Sequence, residues 1–520
     1  MTTISETWIV TSGGPAPEVP DLPLPDFLLA GKAPDRPAIV DGPSGRGLTY
    51  GELADGVQRV AAGFAARGLG TGEAVALLAP NLPEWLLAAY GVMTAGGVVT
   101  GVNPLCTAGE VAGQLADADA RFLVTVPPFL PIARGAVAGR RTEIVLIGPP
   151  TEGTTPFADL LRHSDLPPHV HLDPATDLAM QPYSSGTSGL PKGVMLTHRA
   201  CVANVVQQEC AIPFRSDDRV LAVAPFFHAV GFGVVANATL HAGATLVTMP
   251  RFDVEQFLEL IERYRVTATI VVPPIVLALA KHPAVDGADL RSLRFIGCGA
   301  APLGAAVQQA AADRVGCPVL QGWGMTEMVA GGAIWRLGTP IVPGAAGMLF
   351  PGVDARVVDL ADGTDLPPGQ AGELLIRTPS AMAGYRGAPG ATAATVDADG
   401  WLHTGDVATV SVDGVVHIVD RVKELIKVKG FQVAPAELEA LLRAHPDVAE
   451  AAVVPMPDEQ SGEVPKAFVV RVPGSTVSAE EIIDYVAGRV ARYKRVRVVE
   501  FIDMVPTSPA GKTLRRLLRA

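Results

Sequence analysis

The sequence predicts an α/β protein with a large N-terminal domain of doubly wound α/β sheets, a small β-rich subdomain and a C-terminal α+β domain. Three observations support this. The chain has 520 residues, more than one hydrophobic core usually holds, so two or more domains are expected. Apolar strand-like runs alternate with helix-like segments through the first two thirds of the chain. The pattern then changes after about Gly347 and again from Asp420.

Strand-like runs rich in Val, Ile and Ala recur in the first part of the chain. Examples are EAVALLAP before PEWLLAAYGVMTAG, VTATIVVPP before IVLALAKH, and LRFIGCGAAP before GAAVQQAAADRV. Strands that are apolar throughout are typical of sheets covered on both faces by helices. The uncharged stretch from Trp85 to Gly109 is long enough to cross a membrane, but its six glycines and prolines favour a buried helix followed by a buried strand. We therefore expect no membrane span.

Short strands of alternating polarity follow Gly347, among them DARVVDL, GELLIR and VVHIVDR, with turn signals such as LADGTDLPPG between them. They predict the small β-rich subdomain. From Asp420 the order is strand, helix (PAELEALLRAH), two strands, helix (SAEEIIDYVAGRV), strand and tail. A segment of this length and pattern can form a separate α+β domain. The predicted division is therefore 1–419 and 420–520.

The net charge of −12 argues against a general nucleic-acid-binding or membrane-surface protein. The charge is uneven, because nine residues between Arg489 and the C-terminus are basic and only Glu500 and Asp503 are acidic. A cationic region in an acidic chain is compatible with a small polyanionic ligand, and equally with a solvated basic tail. The sequence indicates no particular oligomeric state.

The five cysteines are odd in number and contain neither a CxxC pair nor a Cys/His cluster with zinc spacing. They are typical of reduced, mostly buried thiols in a cytosolic protein. The N-terminal MTTISETWIV has neither a basic segment nor a long apolar segment, so no signal peptide is predicted. We therefore expect a cytoplasmic location.

The segment YSSGTSGLPKG at 183–193 follows an apolar strand and combines glycines, hydroxyls and one lysine. Glycines let backbone N–H groups converge on an anion, hydroxyls add donors, and Lys192 adds charge. The segment is not a Walker A loop, because Pro191 stands where that motif, counted from Gly186, requires glycine. A plain surface loop is the alternative. GFGVVA at 231–236, followed by Asp253, matches a dinucleotide fingerprint, but this match alone is weak.

Five stretches occur in order across the chain: YSSGTSGLPKGVMLTHR (183–199), QGWGMTE (321–327), GWLHTGD (400–406), DRVKELIKVKGFQVAPAELEALL (420–442) and PTSPAGKTLRR (506–516). Together they resemble the adenylate-forming superfamily of acyl-CoA ligases, luciferases and peptide-synthetase adenylation domains. KELIKVKGFQVAPAELE and the chain length are most similar to bacterial 4-coumarate:CoA ligase-like enzymes. The resemblance implies two doubly wound sheets in the large domain, a mobile C-terminal domain, and the use of ATP, Mg²⁺ and coenzyme A with a carboxylic acid substrate.

The resemblance also implies a nucleotide site. Glu327 would bind Mg²⁺ together with Thr187, and Thr326 would contact the α-phosphate. Asp406, assisted by Arg421, would accept hydrogen bonds from the ribose hydroxyls. The residues that the resemblance places on ATP or coenzyme A are Ser184, Ser185, Gly186, Thr187, Ser188, Gly189, Lys192, Gly299, Ala300, Ala301, Gln321, Gly322, Trp323, Gly324, Met325, Asp406, Arg421, Lys429 and Gly430.

Catalytic roles are implied in the same way. Lys512, in PAGKTLRR, would bridge the substrate carboxylate and the α-phosphate, while Lys427 and Gln432 would assist adenylation. His228, in PFFHAVGF, would be the gate between the acyl pocket and the CoA tunnel, although a histidine after two phenylalanines is otherwise more often a packed core residue. The small domain would swing about Asp420, presenting Lys512 for adenylation and the 429–432 loop for thioester formation.

The predicted acyl pocket departs from that of the plant coumarate ligases. Ala229 and Val230 follow the gate histidine where Ile-Tyr is usual, and residues 328–331 read M-V-A-G where A-G-P-V is usual. Trp323 stands where a tyrosine usually stacks on adenine, so an aromatic face is kept. An aryl or cinnamic acid is the first expectation. A fatty acid, an unusual small acid such as nitrite, and transfer to a carrier-protein thiol or an amine stay open, as do a luciferase-type oxidative enzyme and a silent adenylate-binding protein.

Overall fold

The computed structural model describes residues 8–12, 16–163, 166–167, 169–184, 191–212, 214–428, 431–458, 461–508 and 512–518. Within these residues the strands form three sheets, of fourteen, nine and five strands. The predicted α/β fold class is confirmed.

The elements as far as residue 161 are β1 (Val10–Thr11), α1 (Leu24–Leu29), β2 (Pro37–Asp41), β3 (Gly47–Thr49), α2 (Tyr50–Ala66), β4 (Ala74–Leu78), α3 (Pro83–Thr94), β5 (Val98–Gly101), α4 (Ala108–Ala118), β6 (Ala120–Thr125), α5 (Leu130–Val137), β7 (Glu143–Leu146), β8 (Thr155–Pro156) and α6 (Phe157–Leu161).

The elements from residue 178 to residue 324 are β9 (Leu178–Met180), β10 (Tyr183–Ser184), β11 (Lys192–Thr197), α7 (His198–Ala211), β12 (Arg219–Ala222), α8 (Asn237–His241), β13 (Thr245–Thr248), α9 (Val254–Tyr264), β14 (Ala268–Val271), α10 (Pro273–Lys281), β15 (Phe295–Cys298), α11 (Ala305–Val315) and β16 (Val319–Gly324).

The elements after residue 330 are β17 (Gly331–Ile334), β18 (Gly347–Leu349), β19 (Asp354–Val358), β20 (Gly372–Arg377), β21 (Gly384–Tyr385), α12 (Pro389–Thr395), β22 (Leu402–Val410), β23 (Val415–Arg421), β24 (Ile426–Val428), β25 (Phe431–Val433), α13 (Pro435–Arg443), β26 (Val448–Asp458), β27 (Gly462–Arg471), α14 (Ala479–Ala487) and β28 (Val498–Phe501).

The largest sheet joins the parallel strands to the β-rich part of the chain. Its order is β1-β19-β20-β22-β23-β18-β17-β16-β15-β14-β12-β13-β2-β3. The strands from β16 to β2 are parallel, whereas β17 to β23 are added antiparallel beyond β16. The predicted β-rich segment therefore continues the edge of the parallel sheet, and it brings β22 and β23 near the carboxyl end of β16.

The second sheet carries the glycine-rich segment at one edge. Its order is β10-β11-β9-β5-β4-β6-β7-β8, and β21 also pairs with β11. Helix α3 contacts β2 of the first sheet and both β4 and β5 of the second, so it lies between the two sheets. Its residues are almost all buried, as the run PEWLLAAYGVMT requires. The predicted buried helix and following strand are therefore confirmed. In the part of the chain that the structure describes, no helix is long and apolar enough to cross a membrane.

The third sheet, built from residues after 425, has the order β25-β24-β27-β26, with β28 parallel to β27. Helices α13 and α14 pack on it around their own apolar cluster, which includes Ile426, Leu438, Val469 and Ile482. Local signals set the start of several helices. The hydroxyls of Thr49, Thr107 and Ser478 form capping boxes with the glutamate three positions on, which fixes the first turns of α2, α4 and α14.

Candidate active site

The carboxyl ends of the parallel strands β12, β14, β15 and β16 meet at one edge of the largest sheet. The segments that leave β12 and β15 carry His228 and Gly299–Ala301, and β16 runs into Trp323–Glu327. Open parallel sheets bind their ligands outside the carboxyl ends of the strands. This edge, called the crevice below, therefore gathers most of the residues that the motifs predicted.

Asp406 is the centre of a hydrogen-bonded group in the crevice. It lies in β22 opposite Arg421 in β23, and it is 3% exposed. Its Oδ1 lies 2.6 Å from Nε of Arg421, and its Oδ2 accepts a hydrogen bond of 2.8 Å from Nε1 of Trp323. Burial raises the pKa of Asp406, and this outweighs the opposite effects of Arg421, Trp323 and Lys512. Each carboxylate oxygen has a second lone pair, so the group can still accept hydrogen bonds from a vicinal diol.

Lys512 reaches this group from the C-terminal segment. Its carbonyl accepts from the Ser508 N–H at 2.7 Å, and its own N–H donates to the Ser508 hydroxyl at 3.1 Å, so its backbone is held against Ser508. The residue is exposed to solvent, but the surrounding protein desolvates the ammonium and lowers the pKa of Lys512. Arg421 lowers this pKa further, whereas Asp406 and Glu327 raise it. One cation thus stands within electrostatic reach of two carboxylates.

Glu327 is a buried carboxylate held by a phenol. Its side chain accepts a hydrogen bond of 2.8 Å from Tyr385 at Oε1, and both residues are 7% exposed. Burial and the Glu327 charge raise the pKa of the Tyr385 phenol. The ammonium of Lys192 lies 4.9 Å from the centre of the Tyr385 ring, a cation–π contact. Tyr385 therefore joins two of the predicted site residues, although the motifs did not single it out.

A strained turn follows Glu327. Val329 has φ 68° and ψ −60°, and the Ala330 N–H donates to the Met328 carbonyl at 2.8 Å, which defines a γ-turn that a β-branched residue rarely adopts. Asn204 of α7, which is fully buried, donates to the Gly331 carbonyl at 2.8 Å and reaches the Met328 carbonyl at 3.4 Å. Helix α7 thus braces the backbone that carries Glu327.

His228 lies where β12 opens into the crevice. Its Nδ1 accepts from the Val230 N–H at 3.3 Å, which leaves the proton of the neutral ring on Nε2. Burial lowers the pKa of His228 to about 4, and Lys512 acts in the same direction. The imidazole is therefore neutral at pH 7 and lies within electrostatic reach of the Lys512 ammonium.

Backbone conformation shapes the rest of the crevice. A Cβ on Gly324 would lie 1.7 Å from the Ala330 carbonyl oxygen, so only glycine fits there, and Ala300 has a positive φ of 71°. Gln321 points away, because its amide donates to Gln308 of α11 at 2.7 Å behind the sheet. The other predicted members on these segments are Gly299, Ala301, Gly322, Met325 and Thr326.

Some predicted residues lie elsewhere or outside the described part. Lys427 in β24 faces Gln432 across the β24–β25 hairpin, and both are exposed. Ser184 and Lys192 are cross-strand partners at the start of the glycine-rich loop. The predicted residues outside the described residues are Ser185, Gly186, Thr187, Ser188, Gly189, Lys429 and Gly430.

The junction before the third sheet contains two buried carboxylates. Asp420 accepts from the Ala436 N–H at 2.8 Å, near the start of α13, and from the Arg421 N–H at 2.7 Å. Burial raises the pKa of Asp420 to about 6. Glu439, also buried, accepts from Nη2 and Nε of Arg515 at 2.8 and 3.1 Å. Arg515 follows Lys512 by three positions, so this ion pair anchors the segment that carries the lysine.

The dinucleotide interpretation of GFGVVA is excluded. Residues Val230–Ala236 form a π-helical turn, not a strand-to-helix glycine turn. Asp253 caps α9 by accepting from the Gln256 N–H at 3.0 Å. Within the described ranges, no three His, Cys, Asp or Glu side chains converge as a metal site. A hard divalent cation held by one carboxylate and by substrate phosphates needs no such cluster.

A sequence model of the AMP-binding enzyme family matches residues 29–386, and one of the AMP-binding enzyme C-terminal domain matches residues 437–512. The chain belongs to this family of AMP-binding enzymes. The superfamily resemblance seen in the motifs is confirmed.

Individual relatives and solved structures place the chain more narrowly. 4-Coumarate–CoA ligase 5 of Oryza sativa subsp. japonica is 43% identical over 535 aligned residues, covering 100% of this chain and 98% of that protein. ATP-bound MatB from Rhodopseudomonas palustris has a TM-score of 0.88 at 30% identity, covering 96% and 98% of the two chains. Apo MatB, at 31% identity and the same coverage, gives 0.78. The anthranilate CoA ligase AuaEII, in complex with anthranoyl-AMP, gives 0.87 at 30% identity and 96% coverage of both chains. The chain is an AMP-forming acid–thiol ligase, similar to the 4-coumarate–CoA ligases.

Proposed function

We propose that the enzyme activates an aryl or cinnamic-type carboxylic acid with ATP, releasing pyrophosphate, and then transfers the acyl group to coenzyme A, releasing AMP. The observation that carries this proposal is the convergence of Lys512, Asp406, Glu327 and Arg421 in one crevice. The names of its relatives, a 4-coumarate–CoA ligase and an anthranilate–CoA ligase, support the aryl acid and the CoA acceptor.

In the proposed nucleotide complex, Asp406 accepts hydrogen bonds from both ribose hydroxyls. Arg421 contacts one oxygen of the Asp406 carboxylate, and the Trp323 indole donates to the other. The carboxylate is therefore oriented before the nucleotide binds. The Trp323 ring supplies an apolar face for adenine. The residues proposed to cradle the phosphates are Ser184, Ser185, Gly186, Thr187, Ser188, Gly189 and Lys192.

The proposed metal is Mg²⁺, and the Glu327 carboxylate, with Thr187, is proposed to hold it. Oxygen donors suit a hard cation, and the Tyr385 hydrogen bond to Oε1 leaves Oε2 available. Bound Mg²⁺ would neutralise negative charge on the phosphates. Thr326, one position before Glu327, is proposed to contact the α-phosphate.

The first step joins two anions, so charge neutralisation and alignment limit it. A carboxylate oxygen of the acid attacks the α-phosphorus, and the bond to the bridging oxygen of the β-phosphate breaks to release pyrophosphate. Lys512 is proposed to bridge the carboxylate and the α-phosphate during this attack. Its electrostatic reach to both Asp406 and Glu327 supports that role, because these residues are proposed to mark the ribose and the metal.

The second step is proposed to use another face of the C-terminal domain. The thiol attacks the acyl carbonyl and AMP leaves. Lys429 and Gly430 are proposed to face the thiol tunnel, and His228 to gate it. Lys427 and Gln432 are proposed to assist adenylation. We place the domain boundary between 419 and 420, with Asp420 as the hinge for the domain rotation.

The acid is proposed from the relatives and not from the pocket, because Ala229 and Val230 differ from the usual gate neighbours. The decisive assay measures pyrophosphate release from Mg²⁺–ATP with cinnamic, benzoic, fatty and small inorganic acids, each with and without CoA. Steady turnover that requires CoA and prefers aryl acids supports the proposal. Turnover indifferent to CoA would move the acceptor to an amine, a carrier protein or water, and a preference for fatty acids or nitrite would replace the acid class.

The lysine assignment has its own test. Lys512→Ala should lower adenylation by orders of magnitude while leaving thioester formation from supplied acyl-AMP largely intact. Lys494→Ala is the matched control, because Lys494 lies in the same basic region but pairs with Glu437 at 2.7 Å. Normal adenylation by Lys512→Ala would remove the assignment.

The five cysteines are all free thiols, which supports the proposed cytoplasmic location.

A further inference from the structure

Tyr385 occupies a point where three parts of the proposed site meet. Its hydroxyl donates to Oε1 of Glu327 at 2.8 Å, and its ring lies under the Lys192 ammonium at 4.9 Å. Tyr385 and Glu327 are each only 7% exposed, so water cannot easily replace the phenol as the donor to this carboxylate. The phenol therefore satisfies one oxygen of a buried charge that would otherwise be poorly solvated.

Backbone pairing fixes the position of Tyr385. The short strand β21 pairs antiparallel with β11, placing Tyr385 opposite Val194, two residues after Lys192. Just before it, the Met382 N–H donates to the Glu327 carbonyl at 2.8 Å. The segment 382–385 is thus tied both to the strand that leaves the glycine-rich loop and to the backbone of Glu327.

The segment that follows also holds the backbone of Tyr385 in place. The Tyr385 N–H donates to the Thr392 hydroxyl at 2.9 Å, and α12 begins between them. Gly384 has φ 144°, and a Cβ there would lie 2.8 Å from Cγ2 of Thr392, so glycine is needed for this close packing. Tyr385 is therefore held by its neighbours and can orient Glu327, instead of following its movements.

We propose that Tyr385 is a positioning residue, which orients the Glu327 carboxylate toward the divalent cation of bound metal–ATP and ties that carboxylate to the strand carrying Lys192. This inference rests on the proposed function of Glu327 as the metal ligand. Hydrogen-bond partners of a ligating carboxylate typically change metal affinity by about 10–100-fold when removed. Tyr385→Phe should therefore weaken binding of the metal and leave the rate of adenylation at saturating metal nearly unchanged.

The test compares the parent with Tyr385→Phe, Tyr183→Phe and Glu327→Gln. Tyr183 is the matched control: it lies in β10, paired with the same strand β11, and its hydroxyl donates to Asp117 at 2.5 Å instead of to Glu327. Mn²⁺ affinity is measured by electron paramagnetic resonance in the presence of a non-hydrolysable ATP analogue. Pyrophosphate release is measured against free Mg²⁺. Thermal unfolding checks that each variant is folded.

The expected result is about a tenfold loss of Mn²⁺ affinity in Tyr385→Phe, a matching rise in the half-saturating Mg²⁺ concentration, and parent-like affinity in Tyr183→Phe. Unchanged Mn²⁺ affinity in Tyr385→Phe, while Glu327→Gln loses the metal, would overturn the positioning role alone. An equal loss in Tyr183→Phe would assign the effect to strand β11 and also overturn it. Parent-like Mn²⁺ affinity in Glu327→Gln would instead remove the metal assignment on which the inference rests.

Discussion

Replacing Arg515 with lysine should slow adenylation selectively. Arg515 donates two hydrogen bonds to one oxygen of Glu439, and Leu514 beside it donates its N–H to the Pro506 carbonyl at 2.8 Å. These contacts close the segment that presents Lys512. A lysine keeps the charge but offers a single donor direction in place of the planar fork. The substitution therefore loosens the anchor without leaving the buried Glu439 uncompensated.

The burial of the Glu439–Arg515 ion pair sets the expected loss of adenylation rate. The side chains of Glu439 and Arg515 are 5% and 15% exposed, so solvent screens their interaction little. Losing one hydrogen bond to a charged group costs about 1.5–3 kcal/mol. If the whole loss appears as misplacement of Lys512, adenylation falls by about 10–150-fold, since about 1.4 kcal/mol corresponds to tenfold in rate. Thioester formation from supplied acyl-AMP does not need Lys512 on the proposed mechanism and should stay near the parent rate.

The assay runs the two half-reactions separately, pyrophosphate release without CoA and CoA consumption from synthetic acyl-AMP. Arg443→Lys is the control, because Arg443 contacts the other oxygen of Glu439 at 3.2 Å from within α13 and also donates to the Ala451 carbonyl at 3.4 Å. Equal loss of both half-reactions in Arg515→Lys would refute the anchoring role. The same selective loss in Arg443→Lys would refute it as well, since the effect would then belong to Glu439 and α13.

Three further outcomes are expected. Burial lowers the pKa of the fully buried His198 to about 4, so between pH 6.5 and 4 the unfolded chain binds a proton there that the folded chain does not. This residue alone should lower the free energy of unfolding by about 3 kcal/mol as the pH drops through that window, and His228, whose pKa is also lowered to about 4, adds to the fall. His198→Asn keeps an acceptor for the Leu24 N–H, which lies 3.0 Å from Nδ1 in the parent. The free energy of unfolding, measured with urea at several pH values, should then depend less on pH than in the parent; an equal pH dependence in both proteins would contradict this. Trp323→Phe should weaken ATP binding several-fold and abolish an ATP-dependent change in tryptophan fluorescence. An unchanged fluorescence response would show that another tryptophan produces it and that Trp323 does not contact adenine. Val329→Gly should relieve about 1–3 kcal/mol of backbone strain. It should also admit bulkier acids in the pyrophosphate assay, because Val329 Cγ1 lies near Gly233; an unaltered acid preference would show that Val329 does not limit the pocket.

The alternation of apolar strand-like runs with helix-like segments predicted the α/β fold. The resemblance of the motifs to the adenylate-forming superfamily implied the grouping of Asp406, Arg421, Trp323, Glu327 and Lys512. The roles of these residues remain predictions. Pattern reasoning also predicted a β-rich part after Gly347, but not that it continues the parallel sheet. There β18 pairs with β17 and with the distant β23, and such pairings leave no mark on the local periodicity of a strand.

The supporting residues were missed for a related reason. Asn204 braces a turn more than a hundred positions away, and Arg515 and Glu439 are 76 positions apart. Tyr385 lies in the short stretch AGYRG, which carries no chemical signature of its own. Each is a polar side chain that becomes informative only when burial removes water and a remote partner takes its place. The sequence shows such residues as ordinary polar or aromatic positions.

Two observations bear on the proposed domain rotation. Lys512 stands within electrostatic reach of Asp406 and Glu327, and the chain superposes better on ATP-bound MatB than on apo MatB, with TM-scores of 0.88 and 0.78. In this orientation Phe431 is 57% exposed, and Gln432 beside it is exposed too. Lys512 lies within electrostatic reach of the proposed ribose and metal carboxylates while Phe431 and Gln432 are exposed, so we propose that the two segments act in turn. On that proposal the thioester step requires a rotation about Asp420, the proposed hinge, whose side chain accepts a hydrogen bond from the Ala436 N–H of α13.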